Sequence, residues 1–229
     1  MPITRGTVLR AAYLQDQPAA QDYLLSQARP LDLILISNKS RLSGAGGEGY
    51  FGHSAFYTGD EAQLRALGVW HHPAITPYHA RIRAGGLAIE SLDIAVRLSD
   101  APTLMEADAA ALFRTTGISR ARRQDAVIRL FSEIGRPFDN TFRLEDESAW
   151  YCTELIWRVL PEANLPLTRS YGRLVIWPDE VATKSLLGRT KFRLVDYIQG
   201  VPGGWSVDTR DQMAARILAR WPVAAGTAE

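Results

Sequence analysis

The sequence predicts one α+β domain, and three observations carry that reading. The run Leu31-Asp32-Leu33-Ile34-Leu35-Ile36-Ser37 is apolar and rich in branched side chains, the signature of a buried strand. Shorter strand-like segments at 52–59, 87–91, 94–98 and 191–198 are interleaved with amphipathic helical patterns. No Pro/Ser linker divides the 229 residues into two cores, so a single domain over 1–229 is expected.

The first helix is expected over 18–28, where Ala19, Tyr23, Leu24 and Leu25 recur at helical spacing; Asp16 is the candidate cap and Pro30 the stop. After the 31–37 strand, residues 38–49 hold four glycines, Gly44, Gly46, Gly47 and Gly49. The stretch lacks the Lys-Ser/Thr ending of a phosphate-binding loop and no helix pattern follows it, which discounts a nucleotide site. A loop beside an active site is expected instead. Residues 52–59 alternate and end at a glycine, as a strand does, and 60–67 form a short helix with Leu64 and Leu67 inward.

A loop containing His71-His72 covers 69–77. Strands are expected at 78–83, 87–91 and 94–98, with Gly85-Gly86 as a tight hairpin turn. Residues 108–115 fit a helix by propensity and a strand by context. Propensity is the weaker guide, so a strand is expected. A helix over 119–134 places Ala126, Val127, Leu130, Phe131 and Ile134 on one face and closes at Gly135. Further helices are expected from 152 to about 160, where Pro161 stops the run, and from Pro178 to about 187. A last strand at 191–198 and an amphipathic helix at 208–221 complete the chain.

Composition excludes several classes. With 46% hydrophobic and 22% charged residues the chain can fill an ordinary core. Lys+Arg number 26 against 25 for Asp+Glu, which argues against nucleic-acid binding through bulk positive charge. The run Arg120-Ala121-Arg122-Arg123 opens an amphipathic helix and reads as its solvated face. One cysteine permits no internal disulfide. The start Met-Pro-Ile-Thr-Arg-Gly has no apolar core of signal-peptide length, and no run long enough to insert into a membrane exists. A soluble cytoplasmic protein is the expectation.

That single cysteine, Cys152, falls where turn-rich residues give way to a helical pattern of Leu155, Ile156, Val159 and Leu160. In a first helical turn the unpaired N–H groups and the helix dipole favour a thiolate, the reactive form of cysteine. The competing reading is a buried cysteine acting as a small hydrophobe. A nucleophilic cysteine needs a base, and the chain has four histidines: His53, His71, His72 and His79. His53 is best placed, on a strand beside the buried one, whereas His71 and His72 lie in a Trp/Pro-rich loop. A half-buried, hydrogen-bonded structural histidine is the alternative for His53. Neither His-Glu-x-x-His nor paired cysteines at ligand spacing occur, so no metal is expected.

Gly52-His53-x-x-x-Tyr57-x-Gly59 early in the chain and Tyr151-Cys152-Thr153-Glu154-Leu155 late in it form a combination with a known likeness. It resembles the circularly permuted papain-like hydrolases of the YaeF/YiiX type, relatives of NlpC-type cell-wall peptidases and of lecithin retinol acyltransferase. In that group the histidine precedes the cysteine, as His53 precedes Cys152 here by 99 positions. Leu31-Asp32-Leu33-Ile34-Leu35 is similar to the group's opening strand, with Leu31 where a glycine is usual. Ala88-Ile89-Glu90-Ser91-Leu92 resembles the strand bearing the acidic third member of the site. Pro137-Phe138-Asp139-x-x-Phe142 and Trp177-Pro178-Asp179-Glu180-Val181 match two further segments. The matches span about residues 31–197, with the N-terminal and C-terminal helices as extensions.

The resemblance implies a central antiparallel sheet packed against helices, with the nucleophile at a helix N-terminus. It implies Cys152 as nucleophile, His53 as base and Glu90 as the group orienting His53, with no cofactor. Glu154 would be structural. Tyr57 and Tyr151 are candidates to line the pocket or merely to pack, and Trp70 with the 43–49 loop to border an acyl chain. The implied activity is amidase or peptidase cleavage of a small peptide, lipid or other acyl-amide through a thioester. An acyltransferase on the same scaffold and a catalytically silent binding module are the alternatives.

Overall fold

A computed structural model describes residues 9–40, 49–170 and 172–221. Its centre is Asp32–Ser37 (β1), every residue of which is buried. Side chains of a strand alternate between faces, so Leu33 and Leu35 enter a larger core while Ile34 and Ile36 enter a smaller one on the other side. A strand covered on both faces cannot carry the polar alternation of a half-exposed one, which is why β1 reads as an unbroken apolar run.

Six more strands complete an antiparallel sheet: His53–Tyr57 (β2), Gly86–Leu92 (β3), Ala95–Asp100 (β4), Ala109–Thr115 (β5), Phe192–Val201 (β8) and Gly204–Val207 (β9). Their order is β4-β3-β2-β1-β5-β8-β9. A separate two-stranded sheet joins Thr168–Ser170 (β6) to Arg173–Val175 (β7). The helices, in chain order, are Pro18–Leu25 (α1), Glu61–Leu67 (α2), His79–Arg83 (α3), Ala101–Leu104 (α4), Arg120–Ser132 (α5), Cys152–Val159 (α6), Pro178–Leu186 (α7) and Arg210–Arg220 (α8).

The larger core lies between the sheet and α5, α6 and α7: Ala126, Val127, Leu130, Leu155, Ile156 and Val181 pack with Leu33, Leu35, Phe56 and Ile89. Each fully buried valine, leucine, isoleucine or phenylalanine among them contributes about 1.5–3 kcal/mol through removal from water. On the opposite face α1 supplies Ala20, Leu24 and Leu25 against Ile34, Tyr57 and Leu112. Short-range signals fix the helix ends. Asp60 and Gln63 form a reciprocal capping box at the start of α2, and Ser119 accepts from the Arg122 N–H at the start of α5.

The strand expected over 78–83 is helical: a 3₁₀ turn at Thr76–Tyr78 runs into α3. Three alternating positions imitate period two, and Pro77 at the first turn favours helix instead. Gly85, with φ of 102°, closes that helix and makes no hairpin. A Cβ on Gly86 would lie 2.9 Å from Leu98 and 3.0 Å from the Arg81 carbonyl oxygen, so glycine there lets α3 approach the sheet. The hairpin turns at Asp93 and Ile94, between β3 and β4, with Asp93 left-handed at φ 58°. The expected cap Asp16 is also displaced: Gln17 precedes α1 and its side chain makes no capping bond. No helix of the described residues is long and apolar enough to cross a membrane.

Candidate active site

The β2–β3 ladder runs only from Tyr57↔Ala88 to Ala55↔Glu90. Beyond it Ser91, still paired with Val96 of β4, donates its hydroxyl to the Trp150 carbonyl at 2.6 Å, stitching the segment before α6 to β3. Helix α6 packs against both strands at this point. Two more bonds fix its start. The Thr153 hydroxyl donates to the Ile176 carbonyl at 2.6 Å, and the Ile176 N–H donates to the Tyr151 hydroxyl at 3.1 Å. Cys152, held between these anchors, is the first residue of the helix and is partly exposed.

His53 opens β2. In register it stands opposite Ile36 of β1, and Ala55 stands opposite Glu90, so the His53 and Glu90 side chains are diagonal neighbours on one face. Their contact is short: Nε2 of His53 lies 2.6 Å from Oε2 of Glu90. The other carboxylate oxygen accepts from the Ser99 hydroxyl at 2.6 Å and from Arg97 Nε at 3.0 Å. With Nε2 committed to Glu90, Nδ1 is the ring nitrogen left for Cys152. The structure thus brings together the three residues expected to act together.

Charges reinforce the arrangement. Burial raises the Cys152 thiol, but hydrogen bonding and charge from His53, with Ser54, outweigh it and leave the thiol below its ordinary range. Burial disfavours the His53 imidazolium, yet Cys152 and Glu90 outweigh that and raise it to about 10. Burial also works to raise Glu90, and His53, Arg97 and Ser99 override it to hold the carboxyl at about 2. A thiolate–imidazolium pair braced by a carboxylate is the consistent charge state.

The segment leading into β2 has its own clamp. Asp179, 2% exposed at the start of α7, accepts the N–H groups of Tyr50 and Phe51, each at 2.6 Å, and the Trp221 indole N–H at 2.6 Å. A Cβ on Gly49 would lie 2.8 Å from the same carboxylate, so glycine is required there. Lys39 Nζ donates to the Gly49 carbonyl at 2.8 Å. Most of the glycine-rich loop expected to border the pocket lies outside the described residues.

The expected pocket residues are packed rather than presented. Tyr57 is 5% exposed on the smaller-core face, its hydroxyl donating to Gln63 Oε1 at 2.8 Å. Trp70, 2% exposed, stacks on His79 with ring centroids 3.6 Å apart, between Arg65 and Arg83. Both are drawn into these contacts. Tyr151 adjoins Cys152 and packs 5.1 Å from the Phe142 ring, its hydroxyl committed to Ile176. Glu154 is fully buried and paired with Arg158 at 3.1 Å, and burial pushes it up to about 7.

Sequence reasoning did not single out Arg97, Ser99, Ser54 or the role of Asp179. For Arg97 and Ser99 the signal was the hairpin itself: a turn at Asp93-Ile94 places Arg97 opposite Glu90. For Asp179 it was the Trp-Pro-Asp-Glu segment, which marks a helix start but not the loop the carboxylate holds.

A family model described as permuted papain-like amidase, YaeF/YiiX, C92 family, matches residues 27–203. No curated protein matches the chain in sequence. Among solved structures the fold is similar to the crystal structure of metalloprotein YiiX from Escherichia coli O157:H7, with a TM-score of 0.51 and 13% identity. That likeness covers 74% of this chain and 97% of the other, and it concerns the fold. Among the described residues of the present chain, no group of three or more His, Cys, Asp or Glu side chains is placed to hold a metal ion.

Proposed function

We propose a reaction for this chain from one premise: it belongs to the C92 family of permuted papain-like amidases of the YaeF/YiiX type. Members are cysteine hydrolases. The reading is that Cys152 cleaves an amide bond, or an ester, of a small peptide or lipid through a thioester. The observation that carries it is the 2.6 Å contact between His53 Nε2 and Glu90, which leaves Nδ1 free to serve the cysteine.

In this reading the Cys152 thiolate attacks the carbonyl carbon, and the carbonyl π electrons move onto oxygen. The Cys152 N–H, one of the first N–H groups of the helix and so without a partner inside it, helps hold that oxyanion, a contribution of roughly 2.7–4 kcal/mol per donor. The imidazolium Nδ1–H then protonates the leaving amine as the C–N bond breaks, giving a thioester and neutral His53. Water loses a proton to Nδ1 and attacks the thioester. Collapse expels the thiolate and releases the carboxylic acid. Glu90 keeps Nε2 protonated throughout and stabilises the imidazolium.

Mass spectrometry after exposure to an activated aryl ester tests the reading. An acyl group on Cys152 that turns over in the wild type, and is absent in Cys152→Ala and greatly slowed in His53→Ala, is expected. No adduct, together with alkylation of Cys152 that follows an ordinary free thiol, overturns it.

A further inference from the structure

Ser54 follows His53 on β2 and is 1% exposed. It shares a strand face with Phe56, the face turned to the larger core and covered by α6. Ser54 Oγ is fully buried and makes no hydrogen bond of regular geometry among the described residues. Buried hydroxyls are almost always partnered, so an uncommitted one needs a reason. Packing does not supply it, because an alanine would fill the position without stranding a polar atom.

The surroundings do. The β2–β3 ladder stops at Ala55↔Glu90, where β3 parts from β2. The next position opposite Ser54 would be Ser91, whose hydroxyl holds the Trp150 carbonyl two residues ahead of Cys152, so Ser54 lies beside the start of α6. Its hydroxyl and backbone N–H both act to lower the Cys152 thiol. A protonated thiol is a weak acceptor and a thiolate a strong one. The hydroxyl therefore gains a partner in the charged form of the nucleophile. The other charged groups about the sulfur are His53 on β2, with Glu90 and Arg97 behind it on β3 and β4.

We propose that the Ser54 hydroxyl is a donor to the Cys152 sulfur, a catalytic residue beside Cys152, His53 and Glu90 that holds the nucleophile as thiolate. The assignment rests on the Cys–His reading above. Its place in the reaction is the resting enzyme and the deacylation step, in which the sulfur regains negative charge as the C–S bond breaks.

The test is the rate of iodoacetamide alkylation between about pH 4 and 10 in wild type, Ser54→Ala and Ser54→Thr, each checked by thermal melting. Roughly tenfold slower alkylation of Ser54→Ala on the acid limb is expected. The alkaline limit set by His53 should be unmoved, and Ser54→Thr should retain the wild-type profile. A Ser54→Ala profile superimposed on the wild type overturns the proposal alone. Equal defects in both variants also overturn it, because packing would then be the cause. A wild-type cysteine that titrates as a free thiol removes the Cys–His reading and this proposal with it.

Discussion

Arg97 stands directly opposite Glu90 in the β3–β4 ladder, and its guanidinium reaches the carboxylate at 2.9 Å. Ser99, two residues on and therefore on the same face, holds the same oxygen. One face of a hairpin thus fixes the carboxylate that meets His53. A buried carboxylate with this many donors stays charged, and only a charged Glu90 favours the imidazolium.

Glu90→Gln keeps the shape and removes the charge. The amide also offers donors where the His53 Nε2–H needs an acceptor. We expect kcat to fall roughly 100-fold or more with little change in KM. Arg97→Ala leaves Ser99 and His53 in place and should cost less. Steady-state kinetics on a chromogenic ester separates the two, and an unaltered kcat in Glu90→Gln would remove Glu90 from the mechanism.

The charge pair sets a pH window. Cys152 is lowered and His53 raised to about 10, so the thiolate–imidazolium form persists from below the ordinary thiol range up to about pH 10. Alkylation should show that plateau and lose it in His53→Ala. The stability sign follows from the same shifts. A raised His53 contributes stability that is fully present below its unfolded value of 6.5 and is lost as pH rises through about 10. The lowered Cys152 acts with the opposite sign below its unfolded value of 9.0, so the two contributions cancel between about 6.5 and 9. The denaturation midpoint of the wild type should therefore fall on account of this pair only between about pH 9 and 10.

Much of this was legible in the residues. Cys152 is marked by turn-rich sequence before it and by the Leu155, Ile156 and Val159 spacing after it, because a helix with one buried face must repeat that way. Glu90 came only through resemblance, since its partners depend on a turn that the Gly85-Gly86 pair masked. Strands β6, β7 and β9 have three or four residues each, too few for a period to register. Leu31 explains a departure: the residue before the opening strand has φ of 74°, a conformation suited to the usual glycine. The left-handed backbone costs about 1–2 kcal/mol, and a fully buried leucine side chain offsets it.

Glu154 supplies a pH test away from His53. Burial lifts its carboxyl to about 7, so the folded state holds a proton that the unfolded chain releases near 4.5. Its stabilising contribution is present below about 4.5 and is lost as pH rises through about 7. Glu154→Gln keeps a neutral side chain at every pH. The stability of Glu154→Gln relative to wild type should rise across that window, and parallel stability curves would show that Glu154 ionises normally.

Asp179 reaches His53 through the backbone. Its two oxygens take three N–H donors, two of them from Tyr50 and Phe51 just ahead of β2. Burial raises this carboxyl, and the donors act against that rise. In Asp179→Asn one oxygen becomes an amide nitrogen that faces N–H groups, so at least one buried donor loses its acceptor, a cost of about 1–3 kcal/mol. The melting temperature should fall accordingly. Because the freed segment leads directly into His53, the alkylation plateau of Cys152 should also weaken in protein that remains folded. A lowered melting temperature with an unchanged plateau would confine Asp179 to stability, since a base shifted by even a fraction of an ångström no longer meets the sulfur productively.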